Sequence, residues 1–111
     1  MERVEKYRHI VEKVLQDYVA IPYTQGNIEN ELLVDRNLDK YILLSVGWSR
    51  KRRVHSVVFH IDIIDGKVWV QVDNTDAIIV DDLEREGIPK EDIVLGFHEP
   101  EVRQYTGYAV A

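Results

Sequence analysis

The chain has no cysteine at all. That excludes disulfides, thiolate zinc sites and a cysteine nucleophile, and it suits a reducing compartment. No apolar run approaches the roughly 20 residues that span a bilayer as a helix. The opening stretch MERVEKYRHIVEK is charged from its second residue, so it does not read as a secretory signal. A cytoplasmic protein that does not engage membranes is therefore expected. Gly26, Gly47, Gly66, Gly87, Gly96 and Gly107 are scattered near turns and element ends, and no phosphate-cradling loop is formed. Ser45, Ser49 and Ser56 lack the context of a nucleophile elbow. Internal repeats, low-complexity stretches and linkers are missing as well.

What remains is 111 residues, enough for one domain over 1–111 with a core that needs no covalent staple. The net charge of −6 is unevenly placed. Residues 73–92 hold eight acids against Arg85 and Lys90, so that segment alone sums to −6 and the remainder is neutral. Within the neutral part lies one compact basic run, Arg50-Lys51-Arg52-Arg53. An acidic surface of this kind disfavours DNA and favours a basic partner.

Residues 2–20 read as a helix. Val4, Tyr7, Val11, Val14, Leu15 and Tyr18 recur at three- and four-residue steps and form one apolar stripe. Glu2/Lys6 and Lys13/Asp17 are spaced to pair, and Pro22 and Gly26 end the helix. Four strands follow at about 28–35, 40–48, 53–64 and 67–73. Asp65-Gly66 predicts a two-residue hairpin that sets Ile63 opposite Val68, Ile61 opposite Val70 and Phe59 opposite Val72. A loop over 49–52 sets Ile42 opposite Phe59, Leu44 opposite Val57 and Val46 opposite His55. One sheet face is then largely apolar across three strands. A second helix is expected from Asn74 or Thr75 to just before Gly87, followed by an irregular C-terminal segment. The expected fold is α+β and two-layered. A four-stranded antiparallel sheet carries the N-terminal helix on its apolar face.

The same registers place Tyr41, Leu43, Ser45, Val58, His60, Asp62, Trp69 and Gln71 on the opposite face, with His60 across from Gln71 and Asp62 across from Trp69. This mixture suits a partner or oligomer interface, with Trp69 as an anchor. Helix 2 and the C-terminal segment are the alternative cover. His60-Ile61-Asp62 is the one cluster with chemical reach, since alternate strand residues point the same way. Adding Asp73 or His98 could assemble a metal site or an acid/base pair. The histidines and aspartates fit no metal-ligand spacing, and ordinary hydrogen bonds from Gln71, the Trp69 indole or backbone account for the pair. Arg50, Lys51, Arg52 and Arg53 at a hairpin tip could meet phosphates, or simply stay solvated.

Several words in this chain are distinctive. They are Lys51-Arg52-Arg53-Val54, His60-Ile61-Asp62-Ile63 and Asp65-Gly66-Lys67-Val68-Trp69-Val70-Gln71. Ile88-Pro89-Lys90-Glu91-Asp92-Ile93-Val94-Leu95-Gly96-Phe97-His98 follows, then Pro100, Arg103, Thr106 and Ala109-Val110. In this order they resemble the XisI family, the fdxN element excision controlling factors of cyanobacteria. Tyr108 stands where that family often has phenylalanine, and Val72 stands where a histidine before Asp73 is expected. The resemblance implies a non-enzymatic accessory protein that needs no cofactor and no metal. It would act with a XisH-like, endonuclease-fold partner in control of DNA element excision. It carries no catalytic residue onto this chain, and it leaves Gly96, Phe97, His98, Arg103 and Thr106 as motif residues without an assigned role. A DNA-binding module using 50–53 and an enzyme using His60, Asp62 and His98 are the rival readings.

Overall fold

The computed structural model describes residues 2–21, 27–75 and 78–111. Pro22 and Gly26, read above as helix breakers, and Asp76 in the acidic segment lie outside the described residues. The elements in chain order are α1 (Arg3–Val19), β1 (Asn27–Asp35), β2 (Lys40–Ser49), β3 (Arg52–Ile64), β4 (Lys67–Asp73), α2 (Ile79–Arg85), β5 (Ile93–Leu95) and α3 (Pro100–Arg103). A short 3₁₀ turn, Lys90–Asp92, precedes β5.

The α+β class holds, but the sheet has five strands in the order β1-β2-β3-β4-β5. Strands β1 to β4 form an antiparallel meander, and β5 adds to β4 in parallel, making the sheet mixed. A parallel neighbour needs a crossover, which α2 supplies. Helix α1 lies on one sheet face along its expected stripe: Tyr7, Ile10, Val11, Val14 and Leu15 are buried. They close over Tyr41, Leu43, Phe59, Ile61, Ile63, Val68 and Val70. Helix α2 joins the same layer through Ile79, Val80 and Leu83. Two bidentate ion pairs hold α1 to the β1–β2 turn, Arg8 with Asp39 at 2.7 and 3.0 Å and Arg36 with Glu12 at 2.9 and 3.0 Å. Tyrosines reach between layers and segments: the Tyr7 hydroxyl donates to Asp92, that of Tyr18 to Asp82 and that of Tyr108 to Glu84.

Both hairpins form. Asp65 (φ 51°) and Gly66 (φ 78°) make the two-residue turn, and Ile63 faces Val68 and Ile61 faces Val70 as expected. The β2–β3 turn is tighter than expected, with Ser49 facing Arg52 and only Arg50-Lys51 between them. Shortening the loop symmetrically leaves the register unchanged, so Leu44 faces Val57 and Val46 faces His55.

Two β-bulges then alter what each face carries. Between Leu43 and Leu44 the register against β3 shifts by one, so Leu43 rather than Ile42 faces Phe59. Between His60 and Ile61 the register against β4 shifts, so Phe59 faces Asp73 and His60 faces Val72 rather than Gln71. A bulge inserts one unpaired residue and exchanges inside for outside beyond it. Tyr41, Leu43 and Ser45, expected on the outer face, therefore lie on the core side, and Tyr41 is 0% exposed. Val58 likewise turns to pack against the core. In exchange Ile42, Leu44, Val46 and Val72 come to the outer face. The second helix is shorter than expected, because Asn74 and Thr75 belong to a turn. Asp73 accepts from the Thr75 backbone and hydroxyl and, at 3.3 Å, from the Ile79 backbone N–H.

Candidate functional site

The outer sheet face divides into two parts. Over β4 and β5 it is covered by the chain's own C-terminal segment. Val94, which faces Trp69, is fully buried, and residue 109 returns to bridge it, with the Ala109 N–H donating to Ile93 C=O at 2.8 Å. Gly96 sits so close to the sheet that a Cβ would come 2.5 Å from Gln71 Oε1 and 3.2 Å from Trp69 Cε3. The Arg103 guanidinium lies 5.1 Å from the Trp69 ring centroid, while its Nε donates to His98 C=O and its Nη2 to Gly96 C=O. Thr106 Oγ1 donates to Arg103 C=O and accepts the Tyr108 N–H, turning the chain back. Four of the five motif residues thus acquire roles: Gly96 permits close approach, Arg103 clamps the segment onto Trp69, Thr106 turns it, and His98 offers its carbonyl. Phe97 stays 49% exposed and packs its ring 4.7 Å from that of His98. Trp69, expected as an anchor for a partner, is half-buried under its own chain.

At the margin of this cover lies Asp62, a carboxylate only 5% exposed. Its Oδ1 is 2.9 Å from His60 Nε2 and 3.4 Å from Lys40 Nζ, and its Oδ2 accepts from Gln71 Nε2 at 3.2 Å. Gln71 reaches it because the second bulge leaves that residue unpaired in the ladder. Burying a carboxylate is costly unless it is paired and hydrogen-bonded, and here three donors meet the two oxygens. Lys40 was not foreseen; its position as the first residue of β2, facing Asp62, was the available signal. His98 is not brought into this group: no hydrogen bond or ion pair joins it to His60 or Asp62 among the described residues. Nor, among the described residues, does any group of three or more His, Cys, Asp or Glu form a metal-binding arrangement.

Over β1 to β3 none of the described residues covers the outer face. Leu33 (54% exposed) and Ile42, Leu44, Val46 and Val57 form a continuous apolar strip, ending at Trp48 (49% exposed). The β2–β3 tip beyond it carries Arg50, Lys51, Arg52 and Arg53, all exposed. Arg53 differs from the other three: its guanidinium lies 5.3 Å from the Trp48 ring centroid and donates to Gly47 C=O. On the opposite side of the molecule, a cleft of about 420 Å³ opens between α1 and α2. Val14, Tyr18 and Ile21 supply apolar wall, and Asp17, Asp82 and Glu86 rim it beside Arg85.

The family model for XisI protein matches residues 1–110. The chain belongs to the XisI family. A crystal structure of a XisI-like protein from Anabaena variabilis ATCC 29413 superposes with a TM-score of 0.90 at 39% identity, covering 97% of this chain and 99% of that one. A second XisI structure from the same organism, described as the fdxN element excision controlling factor, matches at 33% identity and a TM-score of 0.82, covering 99% and 100%. No curated protein matches. Among the described residues no helix is long and apolar enough to cross a membrane.

Proposed function

We propose that this XisI-family chain is a non-enzymatic regulatory protein in the control of DNA element excision, acting by binding a XisH-like, endonuclease-fold protein. The observation that carries this reading is the α1–α2 cleft, in which three carboxylates surround an apolar floor. Asp17 and Glu86 share Lys13, and Asp82 is paired with Arg85. A partner segment that presents an apolar side chain flanked by cations would enter the floor and exchange for these exposed lysine and arginine partners. The Asp62 group supports the same reading from the other side. Its oxygens are taken up by His60, Lys40 and Gln71 of the same chain, so the cluster works as a staple between β2, β3 and β4. The test is titration calorimetry of the chain with the XisH-like protein. Replacing Asp17 and Glu86 by lysine should weaken the complex at least tenfold, about 1.4 kcal/mol, and reduce its salt dependence. A complex unaffected by both changes, or no complex at all, overturns the proposal.

One observation favours a second reading: Arg50 and Lys51 at the β2–β3 turn and Arg52 at the start of β3 are all exposed. In that reading these three residues touch phosphate directly while the partner performs the cleavage.

A further inference from the structure

The uncovered strip on β1–β3 has a charge pattern that identifies its occupant. The outward residues run in rows across the three strands. Asn27, Trp48 and Arg53 form one row, Glu29, Val46 and His55 the next, then Glu31, Leu44 and Val57. In these three rows the acids stand on β1, the basic groups on β3, and apolar side chains on β2 between them, with Val57 carrying the apolar part onto β3. A second copy turned by a two-fold axis along β2 lays its β1 over the β3 of the first. It sets Glu29 against His55 of its neighbour with Arg53 one row away, and Glu31 against Val57, twice over, with the β2 apolar rows meeting in the middle. A two-fold across the strands would instead oppose glutamate to glutamate. Two sheet faces pack in this aligned way about 10 Å apart, with strands inclined near −30° by their twist.

Shape agrees with charge. The C-terminal segment stands proud of the sheet over β4 and β5, beside the open three-strand strip. In the two-fold arrangement that ridge falls outside β1 of the neighbour, so the copies interlock as steps. The strip is about 14 Å wide from strand spacing and about 23 Å long for seven residues. That is the size of the largest apolar patch on a typical monomer, which is often functional.

We infer that the outer face of β1–β3 is a self-association surface, and that two copies of this chain close on it as an isologous, aligned sandwich. The surface is separate from the α1–α2 cleft, so the inference stands or falls without that reading. The test is sedimentation velocity with light scattering on the full chain. The wild type should have twice the 13.0 kDa chain mass. Leu44→Glu should run as a folded monomer by circular dichroism. The decisive pair is a double variant with Glu29→Arg and Glu31→Arg, and another with Arg53→Glu and His55→Glu. Each alone should dissociate at least tenfold more readily than wild type, because β1 and β3 then carry like charge. Mixed in equal amounts they should form a heterodimer at near wild-type affinity. A wild type of single-chain mass at a concentration of hundreds of micromolar overturns the inference. So do charge variants that remain as dimeric as wild type, or that fail to restore each other.

Discussion

At Gly96 the missing Cβ is what lets the C-terminal segment descend onto the sheet. Its backbone N–H donates to Val70 C=O at 2.9 Å, and Gln71 and Trp69 occupy the space a side chain would need. Gly96→Ala should cost about 1–3 kcal/mol, the usual range for overpacking a closed site. Chemical denaturation should show it as a lower midpoint with an unchanged slope. Tyr41 is the converse case. It lies fully buried, and its hydroxyl is the one buried side-chain polar atom without a hydrogen-bond partner among the described residues. An unsatisfied buried hydroxyl costs about 1–3 kcal/mol. Tyr41→Phe should therefore leave the protein as stable or raise its denaturation midpoint, where an ordinary core truncation lowers it. Neither residue disclosed this in the sequence. Gly96 reads there as one of six scattered glycines, and Tyr41 reads as an outward residue until the bulge beside Leu43 is known.

Elements were legible where periodicity was long and one-sided. Helix α1 and the four antiparallel strands fall within a residue or so of their expected limits, because an apolar stripe or a two-residue turn specifies them. The bulges were not legible. Tyr41-Ile42-Leu43-Leu44 and Val57-Val58-Phe59 are apolar at both parities, so a shift of one residue exchanges one apolar set for another without trace. Strand β5 was missed for a related reason: Ile93-Val94-Leu95 is buried on both faces and too short to show alternation. The tyrosine–carboxylate links between elements carry no sequence signal, yet they have a measurable consequence. Burial, and then the hydrogen bonds to Asp92 and Glu84, push Tyr7 and Tyr108 up to about 12. Burial and the Asp82 carboxylate raise Tyr18 as well. A folded state that holds these protons more tightly than the unfolded chain loses that advantage as they dissociate. The stabilisation is complete below the ordinary tyrosine value of 10.0 and declines as pH rises through about 12. Denaturation midpoints measured across that window should fall, and Tyr7→Phe should make the fall shallower.

For the whole molecule, charge separates two surfaces. The basic tip at 50–53 carries +4, while the segment 73–92, with α2 and the turn before β5, carries −6. Few counterions are released overall when such a body meets a duplex. The isolated protein should bind duplex DNA weakly and without sequence preference in an anisotropy titration. A tight complex with a steep salt dependence would instead favour the tip as a direct contact. The candidate site was legible only in part at this scale. Asp62 with His60, and Asp62 across from Trp69, are local features of one hairpin and were read correctly. The open strip depends on which face the C-terminal segment covers, and a segment without periodicity gives no hint of where it will lie.

The parallel pairing of β5 sets an order on synthesis. Strand β4 is complete at Asp73, but its far edge, including Val68 and Val70, has no partner until Leu95 has been made, 22 residues later. At ribosomal speeds of about 5–20 residues per second that edge stays open for about 1–4 s. An unpaired apolar edge is where neighbouring chains on one message could join strand to strand. Lys67 and Asp73 flank it at either end, placed as charged gatekeepers for the interval in which the nascent chain has a sheet but not yet its last strand.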